Sequence, residues 1–219
     1  MMRPPQAMAI LTLLMPLASC TPWTVRPIDS GKDAPSGSAV ASTPAAYVDS
    51  SWASRLLPAV RDSAVDARLL LDALAASRSD AQNRFGRREA NGPWYFLVKG
   101  EGIVTAVDTR SRVGIAFVDI APFDKQPDVS IQIGPVIRGT SLRDATGIVR
   151  FSDFVNQLQF ADVGNELNTR VLKTVLASVN RERLKNRTIS FAGAATLQEN
   201  AVPPLADLVP VTLTVKEER

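Results

Sequence analysis

Apolar and polar positions divide the chain into stretches of different period. From Tyr47 to Ala76 apolar side chains recur at three- and four-residue steps, through Trp52, Leu56, Val60, Ala64, Ala67, Leu71 and Leu74, and so share one helix face. Asp49, Ser50 or Ser51 is suited to cap its start, and Pro58 predicts a kink or the beginning of a second helix. Ser79 to Arg88 predicts another short helix, ending near Gly86. From Trp94 the period shortens. Trp94–Asp108, Val113–Ile120 and Val129–Ile133 read as three strands, with turns at Asp108–Arg112 and Pro122–Pro127. Gly100 and Gly102, inside the first strand, predict a bulge or a sharp bend.

Helical spacing returns after Gly139. Thr140 is expected to cap a short turn through Ala145, and Ser152 a longer helix with Phe154, Leu158 and Ala161 on its core face. A second helical run follows from Val163 to Ser178, and Thr188–Leu197 and Val209–Lys216 return to strand. Three strands, a helical excursion and two more strands is the order of a five-stranded OB-like barrel with its helix between strands three and four. The predicted class is therefore α+β, an OB-like barrel over residues 93–219 with a helical insertion at 140–182, preceded by a helical segment at 47–88.

The first 46 residues do not fit a folded domain. Arg3, the apolar run Ala7–Leu17 and the small residues before Cys20 have the layout of a secretory signal over residues 1–19, too short to span a bilayer as a mature helix. Leu17-Ala18-Ser19-Cys20 resembles the bacterial lipobox. That resemblance implies that Cys20 carries diacylglycerol and, after cleavage, an acylated amine, such as palmitate. Thr21, where an Asp would mark retention at the inner membrane, implies the outer membrane, facing the periplasm. Residues 20–46 are rich in Pro, Ser, Ala and Gly and predict a flexible tether.

Composition narrows the chemistry mainly by what is missing. There is no histidine, and the one cysteine is committed to lipid on the lipobox reading. The commonest general base, the commonest metal ligand and any disulfide are thereby removed. The expectation is a protein without metal or cofactor, and not an enzyme. A formal charge of +3, lowered further by loss of Arg3 with the leader, is too small to argue for nucleic acid. Apolar residues at 45% suffice to fill the core of one domain.

One corner stands out as candidate chemistry. The stretch from Gly134 to Asp144 joins strand three to the helices, with two glycines and a proline that fix its path. Arg138, Thr140 and Arg143 border it, and Asn156 and Gln157 are placed to add amide contacts. This set suits a carboxylate, a phosphate or a polar sugar. It suits equally an ion pair that pins barrel to helices, with Asp119, Asp153, Asp162 or Glu166 as the acid. Asp144 is set aside as a partner for Arg143, since sequence neighbours on a helix do not face each other.

The same corner carries a family resemblance. Trp94-Tyr95-Phe96 leading to Lys99-Gly100, the run Gly134 to Thr140 with Arg143-Asp144, then Phe151 to Gln157 and Asn165 to Asn168 resemble a domain-of-unknown-function family of predicted periplasmic lipoproteins. The resemblance spans about Tyr47 to Val215. It implies an OB-like domain with a helical part and an envelope role beside ABC-type sugar importers, with a transporter component or a solute as partner and the membrane held through Cys20. It carries no catalytic residues. The other reading is a structural or assembly lipoprotein with no small ligand.

Overall fold

The structure, a computed structural model, describes residues 43–89, 91–198 and 203–216. The leader, Cys20 and nearly all of the expected tether lie outside the described residues. The first helix, α1 (Pro44–Ser51), starts earlier than its apolar pattern. Thr43 accepts a hydrogen bond from the Ala46 amide on Oγ1 at 3.3 Å, and Pro44 at the first helical position lacks only an amide that a helix start leaves unpaired anyway. The expected caps Asp49, Ser50 and Ser51 are instead inside the helix or at its end.

At Pro58 a second helical segment begins, as expected, without a gap in the helical run. A wide π turn at Trp52–Leu56 precedes it, and Pro58 stands at the second position of α2 (Leu57–Ser63), where the widened turn takes up its missing amide and bulky ring. The break comes later. Ala64 turns extended, Val65–Asp66 forms the two-residue strand β1, and the Asp66 carboxylate then caps α3 (Ala67–Ala76) through the Arg68 and Leu69 amides. One apolar stripe thus serves two cores. Val48, Trp52, Leu56 and Val60 pack in one, Ala67, Leu70 and Leu71 in the other, and the chain must turn between them. Helix α4 (Arg78–Phe85) ends at Gly86 as expected and leads into the short strand β2 (Gly86–Arg87).

Five strands close a barrel: β3 (Tyr95–Asp108), β4 (Ile115–Ile120), β5 (Val129–Gln132), β6 (Thr188–Leu197) and β7 (Leu205–Val215). Their order is β3-β4-β5-β7-β6, with β6 returning to β3; β5–β7 is parallel and the other pairs are antiparallel. Strand β3 makes closure possible by changing partner along its length. Residues 95–103 pair with β6 and 102–108 with β4, so Gly102 faces both, and a Cβ there would press into the Asp119 backbone oxygen. Gly100 gives room for α3, its missing Cβ lying 3.1 Å from the Ala67 methyl. The bulge expected at the glycines falls instead between Val104 and Ala106.

Phe96, Val98, Val118, Ile131, Phe191 and Leu208 fill the barrel, and α3 lays its apolar face into the same core. The second core sits outside the barrel. Leu97, Ala194, Val209 and Val211 pack there against α1, α2 and the insertion. The insertion consists of α5 (Ser141–Thr146), a 3-10 turn at Phe151–Asp153 and α6 (Gln157–Thr174). Ser152 lies in the 3-10 turn and caps nothing; Asn156 caps α6 through the Gln159 amide at 2.9 Å. With α6 beginning at Gln157 and running unbroken, Val163, Leu167 and Val171 form its core face, and Leu158, expected inside, is 71% exposed.

Asp128, beside the β4–β5 turn, yields a pH prediction. Burial raises its carboxyl above the ordinary value; the Ile120 amide and Arg68 oppose the rise, and Asp119 and Asp124 add to it. The folded chain therefore holds this proton more tightly than the unfolded one. Its contribution to stability falls as pH climbs from the ordinary carboxylate range through the raised pKa. Asp128→Asn, which keeps an oxygen for the Ile120 amide, is expected to melt above the parent at pH 7. The gain should vanish on acidification below about pH 4 in paired melting curves.

Candidate functional site

The corner between β5 and α5 is built by two buried amides. Gln132, the last residue of β5, is 1% exposed. Its Oε1 accepts from the Arg138 amide at 2.9 Å, and its Nε2 donates to the carbonyls of Arg138 at 3.0 Å and Asp207 at 3.2 Å. Asn168 of α6 donates from Nδ2 to the Gly139 carbonyl at 2.9 Å. The loop is thus fastened to β7 on one side and to α6 on the other. Gly134 and Gly139 turn it with φ of 79° and 87°, which side chains with a Cβ resist.

The charges of the corner are mutually satisfied. Arg143 grips Asp144 with a fork, Nε to Oδ1 at 2.7 Å and Nη2 to Oδ2 at 3.2 Å; the side chains are 12% and 8% exposed. The guanidinium lies 4.0 Å above the Phe160 ring and donates to the Phe160 carbonyl at 3.3 Å. The expectation that Asp144 is excluded is therefore corrected. Neighbours on a helix do diverge, but the long arginine chain curls back, because both side chains are largely shielded from water and Arg143 lies against Phe160 of α6. Thr140 does not cap α5 with its side chain; its Oγ1 donates to Asp144 Oδ2 at 2.6 Å. Arg138 is 64% exposed and stands 3.6 Å from Asp207.

What remains is a half-open notch of about 200 Å³. Tyr95, Gln132, Arg138, Thr140, Ser141 and Asp207 line it, and Thr196 adds another hydroxyl. Ser141 Oγ is buried there without a hydrogen-bond partner, one of two such buried side-chain atoms among the described residues; the other is Asp119 Oδ1. Of the residues singled out from the sequence, Arg138 and Thr140 reach the notch. Arg143 lies behind it, and Asn156 and Gln157 are exposed at the start of α6, outside its lining. Gln132 and Asp207 were missed, while Tyr95 stood only in the quoted family motif and Ser141 only within the Gly134–Asp144 stretch, neither with a site role. Only Gln132 carries a signal in sequence, as a lone amide in the apolar run Val129–Ile133.

A larger open cleft, about 590 Å³, runs beside the 3-10 turn Arg181–Arg183 and the end of β7, lined by Asn180, Arg183, Leu213 and Val215 among others. It contains no buried unpartnered polar side-chain atom among the described residues. Among those residues there is no cluster of acids, histidines or cysteines able to hold a metal ion, and no helix long and apolar enough to cross a membrane.

The chain belongs to the family described as predicted periplasmic lipoprotein (DUF2291), whose profile matches residues 10–214. That family has no known function, and membership supports an envelope location facing the periplasm. An OB-fold protein from Thermotoga maritima, known from a crystal structure at 1.90 Å resolution, is similar in fold, with a TM-score of 0.65 and 21% identity over 79% of this chain and 98% of that one. At that identity the likeness shows the fold alone. No curated protein matches the chain.

Proposed function

We propose that this chain is a lipid-anchored, non-enzymatic envelope protein that accompanies an ABC-type importer and holds a small, neutral, hydroxyl-bearing solute in the corner notch. The carrying observation is Ser141. Ser141 lines the notch together with Tyr95, Thr140 and Thr196, its own hydroxyl lies buried and unpartnered at the wall, and an unmet buried group is costly unless something meets it. Charge balance selects among the solutes that the loop sequence suits. Arg143 is consumed by Asp144, and Arg138 already faces Asp207, so the notch has no net charge to offer a carboxylate or phosphate. A sugar or polyol matches alternating donors and acceptors of this kind.

The non-enzymatic reading follows from the same geometry. Ser141 has no base within hydrogen-bond reach, and the lining holds no pair of acids set apart for proton transfer. The anchor reading rests on Cys20 and the family, the outer-membrane preference on Thr21, and the transporter association on the resemblance of the sequence to proteins encoded beside sugar importers. Palmitate labelling of the parent and of Cys20→Ser tests the anchor.

The solute reading is tested by melting the mature chain with neutral sugars, polyols, sugar acids and phosphates. A ligand at a hundred times its Kd adds about 2.7 kcal/mol, or roughly 5–10 °C for a domain of this size. One neutral class is expected to give such a shift, reduced in Ser141→Ala and Thr140→Val. A shift with anions alone would reverse the charge argument. No shift with any member would leave the assembly lipoprotein as the better account.

A further inference from the structure

The start of α6 is apolar on the outside. Phe151, Val155 and Leu158 are 55%, 72% and 71% exposed, three of the five large apolar side chains left open among the described residues. Local geometry holds them outward. Asn156 caps the helix, and the Gln159 side chain reaches back to accept from the Val155 amide at 3.3 Å, so the backbone on both sides of the cap is fixed. An apolar residue just before a cap ordinarily folds onto the fourth residue of its helix, here Phe160. That ring instead meets Phe151 edge-on at 5.6 Å, Phe154 at 5.9 Å and the Arg143 guanidinium, and Val155 stays outside. Apolar side chains left this exposed at one helix start mark a contact surface.

Where the described chain begins argues for the bilayer as the partner. Thr43 caps α1, and Tyr47, one turn further on, stacks edge-on against Phe154 at 5.1 Å and donates from its hydroxyl to the Ile148 carbonyl. Asp49 of α1 pairs with Arg170 of α6. The chain that leads from Cys20 therefore reaches the domain beside Phe154, whose neighbours in sequence are the exposed residues. We infer that Phe151, Val155 and Leu158 rest on the lipid bilayer to which the chain is anchored, so that the domain lies on the membrane by this face. Side chains of this type sink into the boundary between headgroups and acyl chains. The docking rests on the anchor reading above, and the experiment separates the two.

The full mature lipoprotein carrying Val155→Cys is labelled with a nitroxide, Cys20 being blocked by its thioether. It is then placed on phosphatidylcholine–phosphatidylglycerol vesicles, with Leu158→Cys as a second site. Lys173→Cys, exposed about 22 Å further along α6, is the water-facing control. Melting curves confirm that each variant folds. Labels at 155 and 158 are expected to be open to oxygen and closed to a water-soluble nickel chelate, and the label at 173 the reverse. A protein that floats with the vesicles but leaves residue 155 open to nickel would overturn the docking while the anchor stands. So would a label closed to both reagents, which would place a second copy over the patch. A protein that does not float removes anchor and docking together.

Discussion

Arg143→Ala is expected to lower the unfolding free energy by about 3 kcal/mol or more, the cost of leaving a buried carboxylate without its partner. Asp144 is 8% exposed at its side chain, and with Arg143 gone the Thr140 hydroxyl alone would answer it. The loss also removes the cation above the Phe160 ring and the donor to the Phe160 carbonyl, both of which hold α5 against α6. In a melting experiment this corresponds to a fall of roughly 6–12 °C. Arg138→Ala is expected to change stability by no more than about 0.5 kcal/mol, because that side chain is mostly in water and its link to Asp207 is long. Arg143→Lys should recover little, since an ammonium has no planar fork to match both carboxylate oxygens. Combining Arg143→Ala with Asp144→Leu should cost less than Arg143→Ala alone, because the stranded charge goes with its partner. Equal melting of parent and Arg143→Ala would mean that the guanidinium is free to serve a ligand.

That contrast shows why two arginines five residues apart look alike in sequence and differ in the fold. Spacing places both at the corner, but burial decides their roles, and burial depends on where α6 crosses. The barrel was legible because the strands are runs of β-forming apolar residues bounded by turn residues, and because the change of partner in β3 requires a glycine at position 102. The helical segment was legible in its apolar face and in its interruption at Pro58, and not in the break at Ala64–Asp66. A stripe from Trp52 to Leu74 reads as one face, yet its two ends belong to different cores, and Asp66 is the capping side chain that lets the chain turn between them. At α6 the same difficulty arises at the cap. Ser152 and Asn156 are both good capping residues, and the choice of Asn156 turns Leu158 outward. The notch was least legible, since it is assembled from Tyr95, Gln132, Ser141 and Asp207, which are scattered along the chain and become neighbours only through barrel closure.

Gln132→Leu is expected to have the largest effect on the notch and a comparable one on stability, about 2–4 kcal/mol. Leucine fills a similar volume, so the loss measures polar groups and not a cavity. It strands the Arg138 amide and removes a donor from the carbonyls of Arg138 and Asp207, and each buried group left unmet costs about 1–3 kcal/mol. Part of this is recovered if water enters from the notch. Gln132→Glu keeps the acceptor for the Arg138 amide but sets a carboxylate against two carbonyls, so it should be no better tolerated. The consequence for binding follows from position. Gln132 holds the backbone that carries Arg138 and runs on to Thr140 and Ser141, so loosening it spreads the hydroxyls proposed to receive a solute. Any neutral ligand that stabilises the parent should therefore fail to stabilise Gln132→Leu, even at temperatures where the variant is fully folded by circular dichroism. A Gln132→Leu protein that melts with the parent would show that the Asn168 bond to Gly139 suffices to hold the loop, and that the amide on β5 is dispensable.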